Sequence, residues 1–449
     1  MNIKKNKLYL ILFSLVIILF FIIRFHNLKI YNTMSADDGG GHIIYTEILL
    51  NEDRLPALEE TYLAWHEPFY YFLLTSWIKI GSFFNLGGLN FWESLNILLY
   101  LFFIVLVFLI TYYFSKQDKW LALLNTFLYT ILFVGVKLSA YINNEVLNHV
   151  FILLLVFLFY YWKLLEPNNY RKIIYWSLIL ALAFLTKITA AIIFIGVFLV
   201  YLYKFIKERD LYFLKYILII IILTFSINLP WIIYKQNNYQ GYFSINIYNE
   251  KPKQNILTSE AWSYIFKINT KVFRDYPYWF SEPESYFSIL LSSSFGDYYN
   301  LFNNYERIYN LPVKERILVG NGRYTTPYLF KTMLNINRIG LFIFIIWLIG
   351  FFGYWIDKIK KKKIKDYDLF LLLIFLGGFF ASIYHNLRLP YLEIGVLKAH
   401  FIYFIYPLGT FFAYTYFRKK IKNNFLQIII LVLPLILYLT IAWPILYIQ

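Results

Sequence analysis

Long apolar runs alternate with short, strongly basic stretches along this chain, and that alternation leaves few folds open to it. About 20 apolar residues are what a helix needs to cross the hydrocarbon core of a bilayer. Eleven runs approach that length: Leu8–Ile23, Leu95–Phe114, Trp120–Val136, Val146–Trp162, Ile173–Leu185, Ile188–Ile206, Tyr212–Tyr234, Ile339–Trp355, Leu369–Tyr384, Phe401–Phe417 and Phe425–Tyr447. Of the 449 residues, 60% are hydrophobic and 15% charged, against about 45–50% and 25% in an ordinary soluble domain. One soluble core cannot bury that much apolar surface, so lipid must solvate much of it. Backbone polar groups in lipid have to be paired within the chain, which makes the spans helical. The expected fold class is an all-α polytopic membrane protein with about eleven, within a range of 10–13, transmembrane helices and two long extracytoplasmic segments. An aromatic share of 22% suits the membrane–water interface, where Tyr and Trp meet apolar and wet surroundings at once.

The net charge of +16 would suggest nucleic acid in a soluble protein. Here the cations cluster in short loops between apolar runs, so membrane orientation accounts for them and nucleic acid is excluded as a partner. There is no cysteine, which removes disulfides, thiolate nucleophiles and Cys-ligated zinc. Met1–Lys7 is basic and leads into Leu8–Ile23 like a signal peptide. Arg24-Phe25-His26 follows instead of a small-residue cleavage site, so an uncleaved first span is expected.

Basic loops face the cytoplasm. Lys4, Lys5 and Lys7 put the N-terminus inside, and Lys358–Lys365 and Arg418–Lys422 belong on the same side. The same bookkeeping assigns Lys116–Lys119, Lys163–Lys172 and Lys204–Asp210 inside and Lys235–Arg338 outside. A further apolar stretch, Phe69–Phe84, is interrupted by Lys79. Were it to cross, the basic loops would fall outside, so it is expected to lie along the outer interface. The chain then divides into a transmembrane module at residues 1–234 with a first external loop at 26–93, an external region at 235–338 lying on the membrane, and C-terminal helices at 339–449. Localisation follows as a multi-pass protein of the cell membrane with its catalytic face extracytoplasmic.

Three groups of residues can carry chemistry on that outer face. Asp37 and Asp38 follow the first span on the flexible glycines Gly39-Gly40-Gly41, with His42 four residues beyond Asp38. A carboxylate there can accept a proton from a hydroxyl, or the pair can hold a divalent cation beside a phosphate; the plainer reading is a solvated Asp-Gly turn. Tyr141-Ile142-Asn143-Asn144-Glu145 forms a second acidic site, with Glu145 and His149 four apart on one helix face; alternatively Asn143 or Asn144 simply caps a helix with an acid in its first turn. Lys137, Lys187, Lys235, Arg388, Lys398 and His400 make a basic outer rim able to hold a lipid phosphate, or snorkelling to the interface. No phosphate-binding glycine loop, zinc-binding His-Glu-x-x-His or nucleophile elbow occurs. The ionisable residues gather at span ends rather than at the midplane, which argues against transport.

Taken in order, these segments resemble the membrane-embedded glycosyltransferases of the GT-C class, in particular the dolichyl-phosphate-mannose–protein mannosyltransferases and the bacterial aminoarabinose lipid A transferase. The likeness rests on Asp37-Asp38 after the first span, His66-Glu67-Pro68-Phe69-Tyr70-Tyr71, Tyr141–Glu145, Leu185-Thr186-Lys187, Pro230-Trp231 before a long external segment, and Lys398-Ala399-His400-Phe401. It covers most of residues 1–235. Glu67 departs from the family's proline, and His400 and Lys235 stand where arginine is common. The resemblance implies a polyprenyl-phosphate sugar donor, Asp37 or Asp38 as general base, inversion at the sugar, and donor-phosphate contacts from Lys187, Lys235, Lys398, His400 and His66. Asn144, Glu145, His149 and Glu67 would form the second acidic or substrate site. A divalent cation, Mg or Mn, would draw ligands from Asp37, Asp38, His42 and Glu145. A lipid-linked glycan polymerase or ligase, a transporter or flippase, and a non-catalytic scaffold remain as alternatives. The acceptor is open.

Overall fold

The computed structural model describes residues 3–31, 33–36, 38–239, 254–278, 285–300, 308, 311–319, 323–388 and 399–447. Among the described residues, its α-helices longer than four residues are, in chain order, α1 (Ile3–Ile30), α2 (Gly39–Glu52), α3 (Phe69–Phe83), α4 (Leu89–Phe114), α5 (Lys119–Ile131), α6 (Phe133–Leu138), α7 (Glu145–Tyr161), α8 (Tyr170–Phe184), α9 (Ala191–Glu208), α10 (Leu211–Asn238), α11 (Tyr286–Phe295), α12 (Pro327–Lys360), α13 (Asp366–Arg388), α14 (Tyr406–Lys420) and α15 (Asn424–Leu446). A two-stranded antiparallel hairpin pairs β1 (Ile317–Val319) with β2 (Arg323–Thr325). The protein is a multi-pass, all-α membrane protein. Among the described residues, 7 helical stretches are long and apolar enough to cross a bilayer: those of α1, α4, α9, α10, α12, α13 and α15. The other predicted runs sit on shorter helices, α5, α7, α8 and α14 (13, 17, 15 and 15 residues).

Side-chain pairings sort the helix ends into two groups. At one end Arg418 meets Asp118 at 3.2 Å, Lys420 meets Asp357 at 3.4 Å, and Lys204 meets Asp366 at 3.4 Å. The turns here are tight, with Lys116, Gln117, Lys163, Arg209 and Lys362 at positive φ. Polar side chains start the next helices: Asp118 accepts from the Trp120 and Leu121 N–H, Asp210 from Tyr212, and Asn423 from Phe425 and Leu426. Those caps satisfy N–H groups that a helix start leaves without partners. The basic loops of the sequence are this end of the bundle.

The opposite end collects the last turn of α1, the starts of α3 and α7, the α8–α9 turn, the end of α10 and the helical segment Ala399–Ile405. Phe69 N–H donates to the Leu185 carbonyl at 2.9 Å, which ties α3 to α8. At its far end α3 stacks Trp77 on Phe91 in the first turn of α4, with ring centroids 5.2 Å apart. Both ends of α3 therefore meet the same end of the bundle, and its last residue Phe83, with Phe84 and Leu86 beyond it, is exposed.

The middle of the bundle is held by a buried polar chain as well as by packing. Tyr100 donates to the Tyr129 carbonyl (2.8 Å) and meets the Tyr403 hydroxyl (2.7 Å). Tyr129 meets Thr410 (3.0 Å), Thr410 donates to Asn125 (2.8 Å), and Asn125 to Thr111 (2.8 Å). Hydrogen bonds of this kind fix which helix faces meet where apolar packing alone discriminates little. Arg24 of α1 is buried beside them, its guanidinium donating to the Thr130 carbonyl and lying 4.7 Å from the Phe20 ring centroid.

One helix of residues 235–338 is buried within the protein. α11 packs against α12, α6 and the 399–405 segment, with every residue but Phe287 buried. Tyr438 donates to the Phe295 carbonyl at 2.6 Å, and the Ala399 N–H reaches Ser293 at 3.1 Å. Ser293 and Ser294 bond back to the Leu290 carbonyl and across to Ala399 and Tyr406, and Ser288 donates to the Asn269 carbonyl, so a short helix of mixed polarity can be interior.

Candidate functional site

The first half of the site forms where α1 hands over to α2. Asp38 is the residue before α2 and sits at φ 55°, left-handed, without capping the helix through its side chain. Aspartate tolerates that conformation better than most residues. Its carboxylate instead accepts from the Tyr62 hydroxyl at 3.1 Å, while its main-chain oxygen accepts from the His42 N–H at 3.1 Å. The three glycines that follow are not a flexible turn, as the sequence suggested; they open the helix. A Cβ on Gly39 would lie 1.9 Å from the Thr33 carbonyl oxygen, and one on Gly41 would lie 2.9 Å from the Leu63 side chain. Close backbone approach, not mobility, requires glycine there.

The second half comes from α7 and the α8–α9 turn. Asn144 precedes α7, but the cap comes from Asn143, whose Oδ1 accepts from the Val146 N–H at 3.3 Å. Glu145 in the first turn forms a buried ion pair with Lys187, whose ammonium also lies 5.0 Å from the Phe401 ring centroid. Lys187 reaches this point because it occupies the extended residue between α8 and the helical turn Ile188–Ala190.

These two halves enclose a cavity of about 390 Å³. Asp38, His42, His66, Glu67, Asn144, Glu145, Lys187 and His400 make its polar wall. Ile188, Ile192, Gly378, Ala381, Phe401 and Phe404 make an apolar wall between α9 and α13. Eight residues named from the sequence, far apart in the chain, thus converge on one hollow. Asp37 and Lys398 lie outside the described residues. Two others are near without lining it. His149 donates its Nε2–H to the His400 carbonyl at 2.8 Å, so it supports the wall. Lys235 is buried 3.5 Å from the Glu67 carboxylate, with its ammonium 5.8 Å from the Trp65 ring centroid and 5.4 Å from that of Trp231. Arg388 donates to the Gln254 carbonyl at 2.9 Å. His385, Tyr62 and Ser382 also line the cavity and were missed in the sequence. Each sits in a stretch whose periodicity or composition reads as ordinary span end or loop.

Burial governs the charge states at this end. The His42 imidazole is pushed down to about 3 by burial first and by Lys187 second. His66 is held well below its usual value by burial, then by His42, Lys187 and Lys235. Both rings are neutral near pH 7. Burial raises the Glu67 carboxyl, against the pull of Lys235.

The described donors do not fit a divalent metal. Among the described residues, no group of three or more His, Asp or Glu side chains is arranged to hold one. Of the expected ligands, Glu145 pairs with Lys187 through one oxygen, His42 Nδ1 meets the Tyr71 hydroxyl at 2.8 Å, and Asp37 lies outside the described residues. No step below runs through such an ion.

The whole bundle is similar to a crystal structure of the Archaeoglobus fulgidus oligosaccharyltransferase tethered with an acceptor peptide containing the NVT sequon through a disulfide bond. The TM-score is 0.51 at 13% identity, with 99% of this chain and 55% of that one covered. That likeness concerns the fold, and this chain spans 55% of that protein's length. No curated protein matches by sequence. The architecture, with its two-walled cavity at one end, is that of the GT-C class of membrane glycosyltransferases. A family model for dolichyl-phosphate-mannose-protein mannosyltransferase matches residues 14–248, more than half of the chain, and the chain belongs to that family.

Proposed function

We propose that this protein transfers a sugar from a polyprenyl-phosphate donor to an acceptor hydroxyl at the outer face of the cell membrane, with inversion. The observation that carries the reading is a cavity that Asp38, Lys187 and an apolar wall line together. An isoprenoid can lie along Ile188, Ile192 and Phe404, with its phosphate near Lys187, His66 and His400. The acceptor approaches from the Asp38 side. Its oxygen attacks the anomeric carbon, its proton passes to Asp38 or Asp37, the bond from that carbon to the phosphate oxygen breaks, and polyprenyl phosphate leaves with both electrons. Attack opposite the leaving group inverts the centre.

Each group has a physical task. A carboxylate base near the reacting hydroxyl contributes about 10²–10⁴ in rate. A fixed cation in a water-poor wall stabilises the charge that develops on the phosphate. Glu145 holds the Lys187 ammonium in place while leaving one carboxylate oxygen, Oε2, without a protein partner. Lys235 is better placed to neutralise Glu67 than to meet the donor. The purified protein, incubated with a panel of polyprenyl-phosphate sugars, should release polyprenyl phosphate detectable by mass spectrometry. Movement of intact donor without its cleavage would replace transfer with transport.

A further inference from the structure

Two histidines of the cavity are joined through one hydroxyl. His42 Nδ1 lies 2.8 Å from the Tyr71 oxygen, and that oxygen lies 3.3 Å from His66 Nδ1. Asn144 Nδ2 lies 3.4 Å from the same His66 nitrogen. The Tyr71 ring is fixed by stacking on Tyr45 at 3.6 Å between centroids, and all five of these side chains are buried. Among the described residues neither Nε2 has a protein partner, and both rings line the cavity.

Proton counting decides what those rings offer. An amide nitrogen only donates, so His66 Nδ1 must be bare. The Tyr71 hydroxyl has one proton, and a bare His66 Nδ1 is where it points. The Tyr71 oxygen can then only accept from His42, which therefore carries its proton on Nδ1. Both rings are neutral, so the second nitrogen of each is fixed: His66 has Nε2–H and His42 a bare Nε2.

We infer that Tyr71 is a positioning residue that, with Asn144 holding His66, gives the two cavity histidines opposite tautomers, His66 offering an N–H to the donor phosphate and His42 a lone pair to a substrate hydroxyl. The inference rests on the proposed reaction for the identity of the ligand groups but not for the tautomers. His66 shares its stretch of chain with Glu67, facing Lys235. His42 lies one helical turn from Asp38, where the hydroxyl approaches. Without Tyr71, Asn144 still leaves His66 Nδ1 bare, while the His42 ring can move its proton to Nε2, and in that arrangement the cavity presents two donors. The tautomer of a histidine is set by the hydrogen bond its other nitrogen makes.

The chain has six histidines, so histidine-selective ¹⁵N labelling and solid-state NMR in lipid can read both tautomers, with assignments from His42→Gln and His66→Gln. The wild-type protein should show His42 protonated at Nδ1 and His66 at Nε2. Finding the same tautomer in both would overturn the inference, whatever the variants do. Tyr71→Phe keeps the stacked ring and should mix the His42 tautomers while His66 stays protonated at Nε2, lowering kcat/KM by about tenfold. His66→Gln, whose amide N–H stands near the lost Nε2–H, should keep several times the activity of His66→Ala. Wild-type turnover and an unmixed His42 tautomer in Tyr71→Phe would also refute it. If no polyprenyl-phosphate sugar is turned over by the wild type, the reaction is wrong and the spectrum still judges the tautomers; if Tyr71→Phe does not fold, the wild-type spectrum decides alone.

Discussion

Replacing Asp38 by asparagine separates the charge of the proposed base from the shape of the site. Asparagine accepts the left-handed φ of 55° as readily as aspartate does, and its amide oxygen can still accept from Tyr62. The side chain is exposed and caps nothing, so the change in stability should stay within about 1 kcal/mol, the net worth of one neutral hydrogen bond. The loss in rate should be far larger. A general base worth about 10²–10⁴ corresponds to about 2.7–5.5 kcal/mol of barrier. Two companions sharpen the comparison. Asp38→Ala loses the base and adds about 1–2 kcal/mol of left-handed strain, while Asp38→Gly loses the base and relieves strain. Stability should therefore rank glycine and asparagine above alanine, with turnover low in all three. Released polyprenyl phosphate gives the rate, and unfolding in mild detergent gives the stability. Asp37→Asn belongs in the same series because the two carboxylates are neighbours. Wild-type turnover in both asparagine variants would refute an aspartate base at this site.

Lys187→Met strands the Glu145 carboxylate and should cost about 3–5 kcal/mol, whereas Glu145→Gln with Lys187→Met should recover most of it; a double-mutant cycle in detergent, showing additivity, would mean that the pair is not coupled. His42 has its proton affinity lowered from 6.5 to about 3 in the folded protein, so the unfolded chain binds the proton first on acidification. Its stabilisation is present above about pH 6.5 and is lost as pH falls towards 3, with a slope of at most about 1.36 kcal/mol per pH unit; His42→Gln should flatten stability between pH 7 and pH 5, and an unchanged slope there would exclude His42 as a contributor. Gly87 has open space around the position of a Cβ and the protein lacks cysteine, so Gly87→Cys should react with a membrane-impermeant maleimide added outside intact cells. Labelling only after permeabilisation would put the α3–α4 turn inside and reverse the orientation.

Much of the fold is legible in the sequence because lipid imposes a one-dimensional rule. A run such as Leu95–Phe114 must be a helix wherever it goes, and the basic turns at Lys358–Lys365 or Arg418–Lys422 mark one end of the bundle whatever packs beside them. The same linear reading singled out Asp38, Glu145 and Lys187, because ionisable residues at the ends of apolar runs stand out against their surroundings. Linear order did not reveal which of these residues meet. Glu145 pairs with Lys187 because the α8–α9 turn lies against the start of α7, whereas Lys235, equally basic and equally near a span end, is turned to Glu67. The burial of α11 and the place of His385 in the cavity wall depend on how helices distant in sequence pack, and a mixed polar and apolar segment carries no periodic mark of that. The sequence by itself determined a helical membrane bundle with charge at its ends, since hydrophobic length and backbone pairing are local properties. Only the tertiary structure decided which charges neutralise each other and where a cavity opens, because those outcomes depend on distances between residues up to hundreds of positions apart.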